Sequence, residues 1–340
     1  MPLFGVEELG MDLGSSGMRI VMRDKGIVLN EPAYIAYERL SRAPIAFGED
    51  AKRMYGRAPR AIIVERPFRQ GWMHSFDLLS AMLRTMLRRV TKGRPRVMLA
   101  MPGGLTPTDR QTLVDVIVDA GAREVSLVDE AAAAAIGAGL DVAQQYGRML
   151  VDIGGARTNV AVYARGHQVL WDILENAGDH FDDAIVDYLR RRHNLLIGER
   201  TAEQLKTDIG GARMGIRITV DAYGRSLVTG LPKAVSIGSD ELNDALSDAL
   251  RDLMLSLHRS LERTPPELAN DIFETGIALT GGGTLLAGLD KMITEQLGIR
   301  AIPADEPELA TAHGLMILLG DKKTYENVDL YQDRIWNRID

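Results

Sequence analysis

Two short turns built on Asp-x-Gly, Asp12-Leu13-Gly14 and Asp152-Ile153-Gly154, stand 140 residues apart, and a glycine triplet, Gly281-Gly282-Gly283, follows them. Each comes at the end of, or within, an apolar run that reads as a strand: residues 6–13, 149–153 and 277–280. Glycine at such positions lets main-chain N–H groups close in on phosphate oxygens. The carboxylates cannot touch phosphate, but they can hold the waters around a bound magnesium ion. The set predicts a nucleotide clamped between two similar halves.

The 340 residues suffice for a large core split into about two domains. A net charge of −7 provides no overall positive field, so no nucleic-acid partner is expected. The chain has no cysteine, which removes disulfides, thiolate zinc sites and a cysteine nucleophile and fits a cytoplasmic setting. Its six histidines are scattered without ligand spacing. Residues 1–10 lack the basic start of a signal peptide, and no apolar stretch is long enough to span a bilayer. The longest, 131–140, reads as a buried alanine-rich helix.

The first half opens as a hairpin, residues 9–13 and 18–23 about a turn at 14–17. A charged stretch over 38–60 is broken by Pro44 and Pro59. Residues 74–90 predict an amphipathic helix, with Leu79, Met82, Leu83, Met86, Leu87 and Val90 on one stripe. Strand 97–101, helix 108–120 capped at Thr106 or Thr108, strand 125–128 and helix 130–140 follow. A second hairpin covers 148–163, helical patterns cover 182–192 and 240–263, and a small strand pair about Gly224 is expected over 217–228. Strands alternating with helices imply an α/β fold. Two hairpin-led halves amount to a weak internal repeat at domain scale.

At this level the chain resembles the actin-type ATPases, and within them the MreB family of bacterial actin-like cytoskeletal proteins. The resemblance spans residues 9–320 and rests on Gly26-Ile27-Val28-Leu29-Asn30-Glu31-Pro32, Gly121-Ala122-Arg123-Glu124-Val125, the run from Ala133 to Leu140, Val151-Asp152-Ile153-Gly154-Gly155, Pro265-Pro266-Glu267-Leu268-Ala269 and Leu279-Thr280-Gly281-Gly282-Gly283. It implies an actin-like fold of two duplicated domains, each split into two subdomains, around a central nucleotide cleft. Domain I is expected over 1–139 with a C-terminal return at 307–340 (subdomain IB about 32–67), and domain II over 140–306 (subdomain IIB about 178–238).

The resemblance also implies roles for particular residues. Asp12, Gly14, Ser15, Ser16 and Gly17 match the first phosphate loop, although Gly-Ser-Ser-Gly is also ordinary turn chemistry. Asp152, Gly154, Gly155 and Thr158 match the second, with Ala156 and Arg157 where the family has glycine and threonine. Arg157 either contacts phosphate or points to solvent. Asp12 and Asp152 are expected to reach Mg2+ through water.

Glu130 falls where the family holds the acid that orients attacking water, although a carboxylate there also suits a helix N-terminus. Glu130, Asp152 and Thr158 are therefore the expected catalytic residues. A second family acid is Asn159 here, which would slow hydrolysis. Glu203 and Lys206 match a ribose-side pair, against the rival of an exposed ion pair one turn apart. Gly178 and Asp179 match a turn beside the nucleotide, and Gly281, Gly282 and Gly283 a close passage beneath adenine and the α-phosphate.

The function implied is an ATP/ADP-binding, Mg2+-dependent protein that polymerises into filaments and places cell-wall synthesis, with slow hydrolysis. Expected partners are further copies of the chain, other MreB-like subunits and membrane cell-wall synthesis proteins. Membrane contact is a weaker expectation: Leu3, Phe4 and Val6 are the only large apolar residues at the N-terminus, and the loop at 91–96 is basic. The tail at 322–340 suits packing on the first domain or docking on a neighbour. One alternative is a divergent paralogue that hydrolyses little and regulates or copolymerises; a small-molecule kinase on the same fold is more remote.

Overall fold

The computed structural model describes residues 6–69, 72–213 and 217–321. The tail at 322–340, and Leu3 and Phe4, lie outside them. The chain divides into two compact units. One runs to Tyr146, takes up Tyr163–Gln168 and resumes at Glu308; the other comprises Gly147–Val162 and Val169–Pro307.

In the first unit, β1 (Glu8–Leu13), β2 (Gly17–Met22) and β3 (Gly26–Pro32) form an antiparallel meander. The charged stretch after it is ordered as a small sheet: β4 (Ile35–Glu38) lies between β5 (Pro44–Phe47) and β6 (Ile62–Glu65), beside helix α1 (Gly48–Met54). Pro44 breaks nothing there, because β5 is an edge strand and a missing N–H costs no ladder bond. A short hairpin, β7 (Phe68–Arg69) and β8 (Trp72–Met73), leads into α2 (Phe76–Val90), capped by Ser75. Next come β9 (Arg96–Met101), α3 (Pro107–Ala120), β10 (Glu124–Asp129) and α4 (Glu130–Gly137).

Thr106 caps α3 in a reciprocal box with Asp109. The main sheet runs β10-β9-β1-β2-β3. Leu79, Met82, Leu83 and Met86 of α2 are buried with Leu9, Met11 and Leu13 of β1 in one core, as the stripe predicts.

The second unit repeats this plan. Its strands are β11 (Arg148–Ile153), β12 (Thr158–Ala164) and β13 (His167–Leu174). They are followed by α5 (Gly178–His193), β14 (Leu195–Leu196), α6 (Glu199–Ile209), β15 (Thr219–Ser226) and β16 (Pro232–Gly238). Then come α7 (Ser239–Arg263), α8 (Pro266–Thr275), β17 (Ile277–Thr280), α9 (Leu289–Leu297) and β18 (Ala301–Pro303).

The second sheet runs β13-β12-β11-β17-β18. In both sheets the hairpin-leading strand is central, its two successors lie on one side, and two later parallel strands lie on the other. The internal repeat is thus a repeat of topology.

Two expectations are corrected. Gly224 does not turn the chain: it lies inside β15, where a Cβ would sit 2.5 Å from the Leu196 carbonyl oxygen, and the reversal falls at 227–231. The helix expected to reach residue 140 ends at Gly137, because Gly139 adopts a left-handed conformation (φ +77°) and Leu140 N–H closes onto the Ala135 carbonyl. Finally α10 (Ala310–Gly320) returns to the first unit against α4. A Cβ on Gly137 would lie 1.8 Å from the Ala310 carbonyl oxygen, so the two backbones touch.

Candidate functional site: two phosphate loops

The first loop follows β1. Gly14 N–H donates to the Gly17 carbonyl at 3.0 Å, closing a turn whose tip is Ser15 and Ser16. Ser16 in turn accepts from Ala33 N–H through its carbonyl, at 3.3 Å. Asp12, 4% exposed, stands directly across the ladder from Arg19, whose Nη1 donates to Asp12 Oδ2 at 3.0 Å. Burial pushes the Asp12 carboxyl above its ordinary pKa, and the Arg19 guanidinium opposes that shift.

Register places Glu130 at the same edge of this sheet. Asp12 pairs with Ala100 on β9, and Ala100 with Val128 on β10, two residues before Glu130 begins α4. Two strand spacings separate the rows, roughly 10 Å. The C-terminal edge of parallel strands is where open α/β sheets bind ligands. Asp129 caps α4 by accepting from Ala132 N–H at 2.9 Å, which leaves Glu130 in the first turn, half-buried.

The second loop is tighter. Gly154 N–H donates to the Arg157 carbonyl at 2.8 Å, and Ala156 between them is buried. Gly178 and Asp179 N–H groups, opening α5, donate to the Gly154 and Gly155 carbonyls at 3.1 and 2.6 Å. Asp152 Oδ1 accepts from the Thr280 hydroxyl at 3.1 Å, and Oδ2 from the Asn159 amide at 3.3 Å. The glycine triplet crosses the end of the same strand: a Cβ at Gly281 (φ +82°) would lie 2.3 Å from the Ile153 carbonyl oxygen, and one at Gly283 2.4 Å from the Ile153 side chain. Gly282 opens a short 3-10 turn.

Lys206 joins this cluster. Its ammonium donates to the Gly178 carbonyl and to Asp182, each at 2.9 Å. Burial pushes the Asp182 carboxyl up to about 6 despite Lys206, and the Glu203 and Asp179 charges add to the rise. Glu203 thus belongs to the same electrostatic group. Thr158 is fully buried, with its hydroxyl donating to the Asn176 carbonyl.

The second unit therefore brings together Asp152, Gly154, Gly155, Gly178, Asp179, Lys206, Gly281 and Gly283. Arg19, Asp182 and Thr280 were not singled out for these roles from sequence. Asp12 and Arg19 stand equally far from the Gly14–Gly17 turn, and that symmetry is the signal for their pairing.

Among the described residues no group of three or more His, Asp or Glu could grip a metal directly. Asp152 accepts from the Thr280 hydroxyl and the Asn159 amide, and a carboxylate so placed suits an ion held through water. Asp12 fits magnesium less well, because Arg19 compensates its charge.

Twin sheets of matching topology, each ending its central strand in an Asp-x-Gly turn, define an actin-like α/β fold with two candidate phosphate loops. The family profile described as MreB/Mbl protein matches residues 6–327. The cell shape-determining protein Mbl of Bacillus subtilis is 37% identical over 317 residues, covering 92% of this chain and 95% of its own. The cell shape-determining protein MreB of Escherichia coli K12 is 39% identical, covering 90% and 91%. The chain belongs to the MreB/Mbl family.

Among solved structures, MreB5 of Spiroplasma citri bound to ADP superposes with a TM-score of 0.90 at 32% identity, over 95% of this chain and 98% of that one. The MamK double helical filament superposes at 0.78 with 16% identity, over 92% and 98%, which is a likeness of fold. No helix among the described residues is long and apolar enough to cross a membrane.

Proposed function

We propose that this chain binds ATP in its two phosphate loops, polymerises with its own copies into filaments and takes part in determining cell shape by organising cell-wall synthesis. Slow hydrolysis of ATP accompanies assembly. The observation that carries this is the second loop, where the Gly154–Arg157 turn packs against the opening of α5 and Gly281 and Gly283 cross so close to Ile153 that a side chain on either would clash. Such a bare backbone lets N–H groups reach phosphate oxygens. The relatives' designation as cell shape-determining proteins, and the ADP and AMPPNP bound by MreB5, support it.

In this mechanism Gly14, Ser15, Ser16 and Gly17 of the first loop and Gly154, Gly155, Ala156 and Arg157 of the second hold the phosphates. Gly178, Asp179, Glu203 and Lys206 serve the ribose side, and Gly281–Gly283 the base and α-phosphate. Magnesium, when bound, neutralises developing phosphate charge; Asp152, and less readily Asp12, would hold its waters. Glu130 orients the attacking water. Thr158 steadies the loop through Asn176 and reaches phosphate only if that bond opens. The setting proposed is cytoplasmic, with other MreB-like subunits, membrane cell-wall synthesis proteins and peripheral membrane contact as further partners.

Sedimentation and electron microscopy with and without ATP test the proposal: nucleotide-dependent filaments are expected, and a monodisperse monomer at every concentration overturns it. A second reading, a copolymerising paralogue with little hydrolysis, is favoured by the Asn159 amide on Asp152. Phosphate release in step with polymer growth, abolished by Glu130→Ala, excludes that second reading.

A further inference from the structure

Arg19 sits on β2, and its guanidinium lies along the first loop: Nη2 would be 3.5 Å from a Cβ on Gly17, and Nη1 3.9 Å from one on Gly14. The side chain is 15% exposed. Its Nη1 is held by Asp12, yet its Nε is buried with no hydrogen-bond partner among the described residues. A buried donor without an acceptor is costly, so a fold keeps one where something else supplies the acceptor.

The surroundings say what that is. The guanidinium is a planar fork of five donors matched to the paired oxygens of phosphate. It borders the Gly14–Gly17 turn, with Ser15 and Ser16 at its tip, and its ion pair with Asp12 leaves most of its donors for a ligand. Asp12 holds the fork against the loop, which lowers the ordering cost of binding.

We infer that Arg19 is a phosphate-binding residue of the first loop, positioned by Asp12 and directed at the polyphosphate of the bound nucleotide. This rests on the nucleotide-binding function proposed above. Its positive charge also does at this loop part of what a cation would do, consistent with the poorer fit of magnesium to a compensated Asp12.

The test measures binding of ATP, ADP and adenosine to the full chain by calorimetry, for wild type, Arg19→Gln, Arg19→Met and Arg19→Lys, with thermal melts alongside. Wild type should prefer ATP and ADP to adenosine. Arg19→Gln and Arg19→Met should each lose about tenfold of that preference, the worth of one charge-assisted hydrogen bond; Arg19→Lys should keep most of it. Arg19→Met preserves the packing of the stem, so the comparison survives if the glutamine variant folds poorly. Variants that keep the full preference, or that weaken ATP and adenosine equally as a merely structural ion pair would, overturn the assignment of Arg19 alone. A wild-type chain that binds none of the three overturns the nucleotide function and this inference together.

Discussion

Gly314 and Ala133 meet main chain to main chain: a Cβ on Gly314 would lie 1.8 Å from the Ala133 carbonyl oxygen. Neither partner is a flexible side chain that can swing away, so α4 and α10 have one separation. Glu130 opens α4, and this crossing therefore sets where its carboxylate stands.

Gly314→Val should drive the helices apart. A loss of about 1–3 kcal/mol or more is expected, the range for overpacking a filled core, read as a lower urea midpoint. Phosphate release should fall as well, because Glu130 moves with its helix. An unchanged midpoint would show that the two helices separate freely.

Gly281 and Gly230 both have positive φ, +82° and +74°, but differ in surroundings. A Cβ at Gly230 meets nothing within 4 Å, whereas one at Gly281 meets Ile153 and Asp152. Gly230→Ala should cost only the left-handed strain of about 1–2 kcal/mol. Gly281→Ala should cost more and weaken ATP binding. Paired thermal melts and ATP titrations compare the two.

The Asp182 carboxyl is pushed up to about 6, from an ordinary 3.8, chiefly by burial. A carboxyl with a raised folded-state pKa binds its proton more tightly in the folded protein. Stability from this group is therefore full below about pH 4 and is lost as pH rises to about 6. Asp182→Asn removes the dependence, so the wild-type stability curve should fall relative to the variant's across this window. Urea midpoints between pH 4 and 8 decide it; parallel curves would refute the assignment.

Asn159→Asp would set two buried carboxylates about 3.3 Å apart, the separation of the present Asn159 amide from Asp152. Like charges at that distance cannot both ionise readily, so one pKa rises. The variant should be less stable than wild type at pH 7 and recover towards pH 5. Where the weak-hydrolysis reading holds, it should also release phosphate faster when nucleotide is present.

Much of this was legible because its causes are local. Residues 74–90 carry an apolar stripe at helical period, and α2 occupies Phe76–Val90 with the stripe in the core. The strands carrying Asp12 and Asp152 are apolar runs stopped by glycine, and both appear with both aspartates buried. What escaped depends on partners far along the chain. Gly224 looks like a turn and is a strand glycine, because Leu196 of the neighbouring strand approaches it. The true reversal holds Leu227, Val228 and Leu231, all exposed and apolar, so it carries little turn chemistry before Gly230. Lys206 meets Asp182 and Gly178 across 24 and 28 residues, which no spacing within its own helix announces.

The discontinuity of the first unit sets an order of assembly on the ribosome. All of the second unit has been synthesised by Pro307, but the first, though it begins the chain, still lacks α10 at that point. Until Gly314 emerges, the alanine face of α4 has nothing to close upon. The half made last to first is thus the one that starts the protein, and a nascent chain stopped short of residue 310 carries a finished second unit beside an open first one.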